Sequence, residues 1–297
     1  MSSESKPFDQ AVQPQLAPAG SRAPFGARLA AAMQARGALC VGIDPHPGLL
    51  HDWGLPVSVA GLRRFALSTV DAIGAEVAVL KPQSAFFEAF GSAGIAVLEE
   101  TLAAAAAAGA LTLLDVKRGD IGSTMAAYAQ AYLADDAPLA ADAITLSPFL
   151  GFGSLQPALD LAAATGRGVF VLALTSNPEG PAIQHAVTAG GIPVAQQIAD
   201  AAATLNAGVN PLGSVGLVVG ATIGRTGVDL SRVNGPLLAP GIGAQGATPD
   251  DLRAVFGDDL RAVLPSSSRE VLGAGPSISG LREATARTID AIRAVLS

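Results

Sequence analysis

The stretch ALCVGIDPHPG, residues 38–48, opens on an unbroken apolar run and then turns abruptly to an acid, two prolines and a histidine. A short run with no polar alternation is the mark of a strand buried on both faces, and such strands belong to parallel sheets covered by helices. The run leads directly into DPHPG. A doubly wound dinucleotide fold would need G-x-G-x-x-G at that point, so that backbone amides could approach a pyrophosphate. Working outward, seven more runs of the same kind appear: VAVL (77–80), LTLL (111–114), AITL (143–146), GVFVLAL (168–174), VGLVVG (215–220), PLLAPG (236–241) and RAVLP (261–265). Successive runs start about 32 residues apart, the size of a βαβ unit. Helices are expected at 26–36, 58–73, 94–108, 122–134, 155–165, 193–207, 249–256 and 280–296, with Gly37, Gly74, Gly109, Gly166, Gly208 and Gly257 as left-handed stops. Eight strands alternating with helices predict an α/β fold, a single-domain (β/α)8 TIM barrel over residues 25–297.

Composition agrees with a folded, core-rich chain. Of 297 residues 50% are hydrophobic and only 14% charged, against about 25% charged in an average domain. Residues 1–24 are the exception: rich in Ser, Pro, Gln and Ala and without periodicity, they are expected to form a disordered tail. The longest nearly unbroken apolar run, Leu102 to Leu114, falls short of the roughly 20 residues of a membrane span. The N-terminus carries Glu4, Lys6 and Asp9 where a secretory signal would be apolar, so a cytoplasmic protein is expected. A single cysteine, Cys40, and three scattered histidines, His46, His51 and His185, make no metal-ligand cluster, and no structural metal is expected. His185 is expected to be a loop histidine. The net charge of −7 comes without any basic run, which argues against a nucleic-acid partner.

The sparse charges are placed with unusual economy. Two of the three lysines, Lys81 and Lys117, stand directly after strand runs. In a barrel the C-terminal strand ends surround the active-site mouth, so Asp44, Lys81, Asp115, Lys117 and Ser147 are expected to converge there. Asp115 and Lys117, two residues apart, share one face of a strand, which sets an acid and a base side by side. A lysine held beside a carboxylate stays protonated and can donate that proton. Asp120 lies past the strand end, in a turn begun by Gly119, which leaves two recipients for its side chain, the site of its own chain or that of a neighbouring subunit. Near the last two strands, PGIGAQGA (240–247) and PSSSR (265–269) are anion-binding signals: glycines admit backbone amides, and an arginine grips two phosphate oxygens. The long connections 175–191 and 222–234 are expected to be lids.

The strings CVGIDPHPG, LKPQSAFFEAFG, LLDVKRGDIGST, ITLSPFLGFGSL, LTSNPEG, VVGAT and APGIGAQG, in this order, resemble the orotidine 5'-phosphate decarboxylase family in its longer bacterial branch. The resemblance spans about residues 39–269. It implies a dimeric barrel that converts orotidine 5'-monophosphate to uridine 5'-monophosphate and carbon dioxide without a cofactor. By position it makes Lys117 the proton donor, Asp115 its neighbouring carboxylate and Asp120 the carboxylate lent across a homodimer interface, beside Ile121 and Thr124 from the same partner chain. Asp44 and Lys81 match ribose and charge-network positions, Ser147 a pyrimidine contact, Gln245 a lid glutamine and Arg269 the phosphate arginine. The arginine follows three serines here, where many relatives have a glycine. Two other readings stay open: a metal-dependent keto-sugar-phosphate decarboxylase or aldol synthase of the same superfamily, and a non-catalytic barrel that binds a nucleotide.

Overall fold

The computed structural model describes residues 22–224, 227–241, 249–257 and 260–296. Eight parallel strands close on themselves: β1 Cys40–Ile43, β2 Val79–Pro82, β3 Leu111–Arg118, β4 Ala143–Leu146, β5 Gly168–Leu174, β6 Val215–Val219, β7 Leu237–Pro240 and β8 Val263–Ser267. Each pairs with the next in sequence, and β1 pairs with β8 to complete the barrel. All eight apolar runs are therefore strands, and β4 and β5 have the expected boundaries.

Alternation along the strands sorts their side chains into two cores. Val41, Leu80, Leu114, Ile144 and Val169 face outward and pack with Leu62, Phe65, Leu98 and Ile292 of the surrounding helices. Cys40, Val79, Leu113, Ala143, Phe170, Val218, Leu238 and Leu264 face inward. The helix Phe25–Arg36 plugs the N-terminal end of this inner column with Phe25 and Leu29, both fully buried. Phe25 meets Phe170 edge-on at 5.9 Å between ring centroids. Gly168 is required there, because a Cβ at that position would lie 2.3 Å from the Phe25 ring.

The outer helices form at the expected places, among them Val59–Ile73, Gly91–Ala107, Gly122–Leu133, Gln156–Thr165, Val194–Leu205, Pro249–Phe256 and Ile278–Leu296. Several short ones were not legible: Pro47–Asp52, Ser84–Glu88, Pro181–Gln184 and Arg269–Leu272, all in loops on the mouth side. One glycine stop is corrected. Gly37, Gly109, Gly166, Gly208 and Gly257 take positive φ, but Gly74 sits at φ −58, ψ −35. Its small size answers to packing, since a Cβ would come within 2.7 Å of both the Ala108 Cβ and the Val70 carbonyl oxygen.

The connection 222–234 was expected to be a lid. No helix joins β6 to β7 among the described residues, so the chain must return along the barrel flank. Its second half does so, with Val228 and Val233 buried and the Asp229 amide donating to Gln196 Oε1 of the helix Val194–Leu205 (2.7 Å). Of the expected tail, residues 1–21 lie outside the described residues. Arg22 pairs with Asp135 at 2.7 Å and donates to the Thr165 carbonyl at 2.8 Å. No helix among the described residues is long and apolar enough to cross a membrane.

Candidate active site

Traced toward their C-terminal ends, the inner rows change from apolar to polar. Cys40 and Gly42 lead to Asp44, Val79 to Lys81 and Gln83, Leu113 to Asp115, Ala143 to Thr145, and Leu264 to Ser266 and Ser268. These ends line a cavity of about 430 Å³ together with His46, Lys117, Leu172, Thr175, Gly241 and Arg269. That volume suits a nucleotide-sized ligand.

Asp115 is the hub. Its Oδ2 accepts from Lys81 Nζ (3.1 Å), and its Oδ1 accepts from Lys117 Nζ (2.6 Å) and from Thr145 Oγ (2.8 Å). Asp44 Oδ1 stands 3.9 Å from Lys81 Nζ on the other side. The four groups thus alternate in sign: Asp44, Lys81, Asp115, Lys117. Burial pushes the Asp115 carboxyl up, but the ammonium groups of Lys81 and Lys117 outweigh it and hold the group down at about 2. Burial works against the Lys81 ammonium, and the Asp115 and Asp44 carboxylates more than reverse that, raising it above its ordinary value. Cys40, lower on the β1 row, has its thiol pushed up to about 12 by burial and stays protonated.

The two lysines differ in access. The Lys81 side chain is 7% exposed and locked between two carboxylates, whereas that of Lys117 is 45% exposed and reaches the cavity. The difference comes from the backbone. Lys117 has φ +45, a conformation that side chains with a Cβ rarely adopt, and the β3–β4 register shifts between Leu114 and Arg118. The Lys117 amide donates to Thr145 Oγ (2.9 Å), so one hydroxyl fixes both the strained backbone and the carboxylate. On the far side of the bulge Arg118 pairs with Glu88 (2.7 Å), and its carbonyl accepts from the Ser147 amide (2.7 Å). Such strain costs about 1–3 kcal/mol and persists only where the surroundings overdetermine it.

The expected site residues divide into three groups. Asp44, Lys81, Asp115, Lys117 and Arg269 meet at the cavity. Ser147, Asp120, Ile121 and Thr124 lie outside its lining. Asp120 accepts from the Ile121 amide (2.8 Å), and Ile121 and Thr124 are exposed. Gln245 lies outside the described residues. Thr145, Gln83 and His46 were not singled out from the sequence, and the serines of β8 only as part of the string PSSSR. Thr145 carried a usable signal, a lone hydroxyl in an apolar strand on the row that ends at Ser147. His185 is an exposed loop residue, as expected. In the connection 175–191, Thr175 and Ser176 line the cavity, and Gln184 ties the loop to itself through the Thr175 amide and hydroxyl.

A model of the orotidine 5'-phosphate decarboxylase / HUMPS family matches residues 37–284. A Salinispora arenicola protein named orotidine 5'-phosphate decarboxylase is 65% identical over 273 residues, covering 92% of this chain and 98% of that one. A Streptomyces coelicolor protein of the same name is 60% identical over 274 residues, covering 92% and 99%. The crystal structure of a Streptomyces avermitilis protein provisionally assigned to the same activity superposes with a TM-score of 0.91 at 60% identity, over 95% of this chain and 99% of that one. The Methanocaldococcus jannaschii decarboxylase, complexed with the inhibitor BMP, shares the fold with a TM-score of 0.60 at 18% identity, over 86% and 98%.

Proposed function

The chain belongs to the orotidine 5'-phosphate decarboxylase / HUMPS family, and from that premise we infer that it converts orotidine 5'-monophosphate to uridine 5'-monophosphate and carbon dioxide, the last step of pyrimidine nucleotide synthesis. The observation that carries the reading is the alternating row Asp44, Lys81, Asp115, Lys117 at the barrel mouth. Cleavage of the ring–carboxylate bond leaves its electron pair on a ring carbon with little delocalisation. A fixed cation beside that carbon stabilises the developing charge, and the same ammonium then delivers the proton that takes the place of carbon dioxide. Lys117 is the accessible cation and takes both roles. Asp115 aims it, and its own negative charge faces the substrate carboxylate, a repulsion relieved as carbon dioxide leaves. Lys81 keeps Asp115 ionised and neutralises part of the buried charge.

The remaining assignments rest on positions in the family's motifs. Arg269, at the cavity rim beyond β8, grips the phosphate. Asp44 takes the ribose, Ser147 the pyrimidine, and Gln245 closes over the ligand. Asp120, Ile121 and Thr124 serve the site of a second copy in a homodimer. Three apolar side chains support that assembly, because Ile121, Phe149 and Leu150 all stand exposed on the loops after β3 and β4. We place the enzyme in the cytoplasm.

The metal-dependent reading is disfavoured by Asp115 itself. Both of its oxygens already accept from an ammonium group, which opposes a divalent cation at the same carboxylate. The deciding experiment is the ultraviolet change as orotidine 5'-monophosphate is consumed by purified protein in excess chelator. Turnover is expected at an undiminished rate. Abolition by chelator would favour the sugar-phosphate reading, and nucleotide binding without turnover the non-catalytic one.

A further inference from the structure

Three buried polar atoms at the β1–β8 edge of the cavity lack a hydrogen-bond partner: Asp44 Oδ1, Ser267 Oγ and Ser268 Oγ. Leaving a buried donor or acceptor unmatched costs about 1–3 kcal/mol, so such groups at a cavity wall point to a ligand that matches them. Both serines line the cavity, Ser267 as the last residue of β8 and Ser268 just past the strand end. Position relative to Asp44 separates the two serines. Ser268 adjoins the carboxylate. Around the point where a side chain on Gly42 would sit, the Ser268 Cβ and Asp44 Oδ2 both lie at 3.0 Å and Asp44 Oδ1 at 3.2 Å. The missing side chain of Gly42 leaves the space between the two groups open.

The chemistry of the pair defines its ligand. A carboxylate oxygen only accepts, whereas a serine hydroxyl both donates and accepts. A phosphate oxygen would bring negative charge against Asp44. A neutral hydroxyl can donate to Asp44 Oδ1 and at the same time accept from Ser268 Oγ–H. We propose that Ser268 is a substrate-binding residue that, with Asp44, holds one sugar hydroxyl of the nucleotide, and that this contact is distinct from the phosphate grip of its neighbour Arg269. The proposal rests on the substrate reading above and adds to it the residue that completes the hydroxyl site.

The test compares wild type with Ser268→Ala for binding of uridine 5'-monophosphate and of its 2'-deoxy and 3'-deoxy forms by calorimetry, alongside turnover of orotidine 5'-monophosphate and thermal melting. Losing one neutral contact in a buried site should weaken binding of the full ribonucleotide about tenfold. On one of the deoxy forms, the one lacking the hydroxyl that Ser268 engages, wild type and variant should bind alike. Unchanged affinity for the ribonucleotide overturns the proposal. An equal loss on all three ligands overturns it as well, since that marks a phosphate or structural role. Wild-type protein that fails to turn over orotidine 5'-monophosphate would sink the substrate reading itself, a result separate from either.

Discussion

At the N-terminal end of the barrel the inner rows offer Cys40, Val79, Leu113, Ala143 and Phe170, closed over by Phe25 and Leu29. Two to four residues further along, the first four rows offer Asp44, Lys81, Asp115 and Thr145, and β8 leads to Ser268. One end is dry, aromatic and tightly packed, so its burial holds the fold together. The other buries charges in mutual contact, leaves hydroxyls unmatched and holds Lys117 at a positive φ. Buried ion pairs contribute little net stability after desolvation, so that end is arranged for chemistry at some expense to the fold. A barrel can combine both because its strands are rigid throughout, and a side chain at the mouth inherits the precision of the floor.

The largest expected effect is at the mouth. Lys117→Ala should abolish turnover, by more than the roughly 10²–10⁴-fold that a general acid alone contributes, because cation and proton source vanish together. A variant that keeps a tenth of wild-type kcat would remove Lys117 from that role. Its unfolding midpoint in urea should stay near wild type.

The floor should answer in the opposite way. Phe25→Ala empties a fully buried aromatic site and should cost about 3–5 kcal/mol in urea unfolding, with kcat of the folded fraction nearly unchanged. If kcat fell as steeply as stability, the two ends would not be separable.

Within the mouth, Arg269→Ala should lower kcat/KM for the nucleotide about ten- to a hundredfold. Orotidine lacking the phosphate should be nearly indifferent to the change. Equal losses on both substrates would assign Arg269 a structural task.

Acid should distinguish the ends as well. The Asp115 carboxyl lies at about 2 in the folded protein against 3.8 ordinarily. Its ionised form therefore adds stability above pH 4 that is lost as pH falls toward 2, on the order of 2–3 kcal/mol for this buried group. The gap in unfolding free energy between wild type and Asp115→Asn should narrow by that amount across the window. A constant gap would mean that Asp115 is not held ionised by its lysines.

The smallest effect concerns assembly. Lys117→Ala and Asp120→Ala should each be inactive, yet once subunits exchange, as mass spectrometry of tagged chains can show, the mixture should recover roughly a quarter of wild-type activity. Heterodimers without recovery would place each whole site in one chain.

Much of this was legible in the chain itself. The eight strands, the helices between them and the positions of Asp44, Lys81, Asp115 and Arg269 come from patterns a few residues long. Apolar runs mark strands buried on both faces, and a charge just past such a run has nowhere to go but the mouth. The tertiary structure alone decided everything that depends on contacts between distant segments. Asp115 and Lys117 do stand side by side, but through a bulge with φ +45 at Lys117 whose hydroxyl anchor, Thr145, lies 28 residues away on the next strand. Gly74 is a glycine because of Ala108 and not because of a left-handed turn, and the second half of the β6–β7 connection packs on the flank against the helix Val194–Leu205. Ser268 and Asp44 border the same glycine, Gly42, only because closure of the barrel brings its last strand against its first. Periodicity is local and is written in the sequence, whereas register shifts, cross-strand hydrogen bonds and barrel closure depend on residues far apart in the chain and are settled only when the strands assemble.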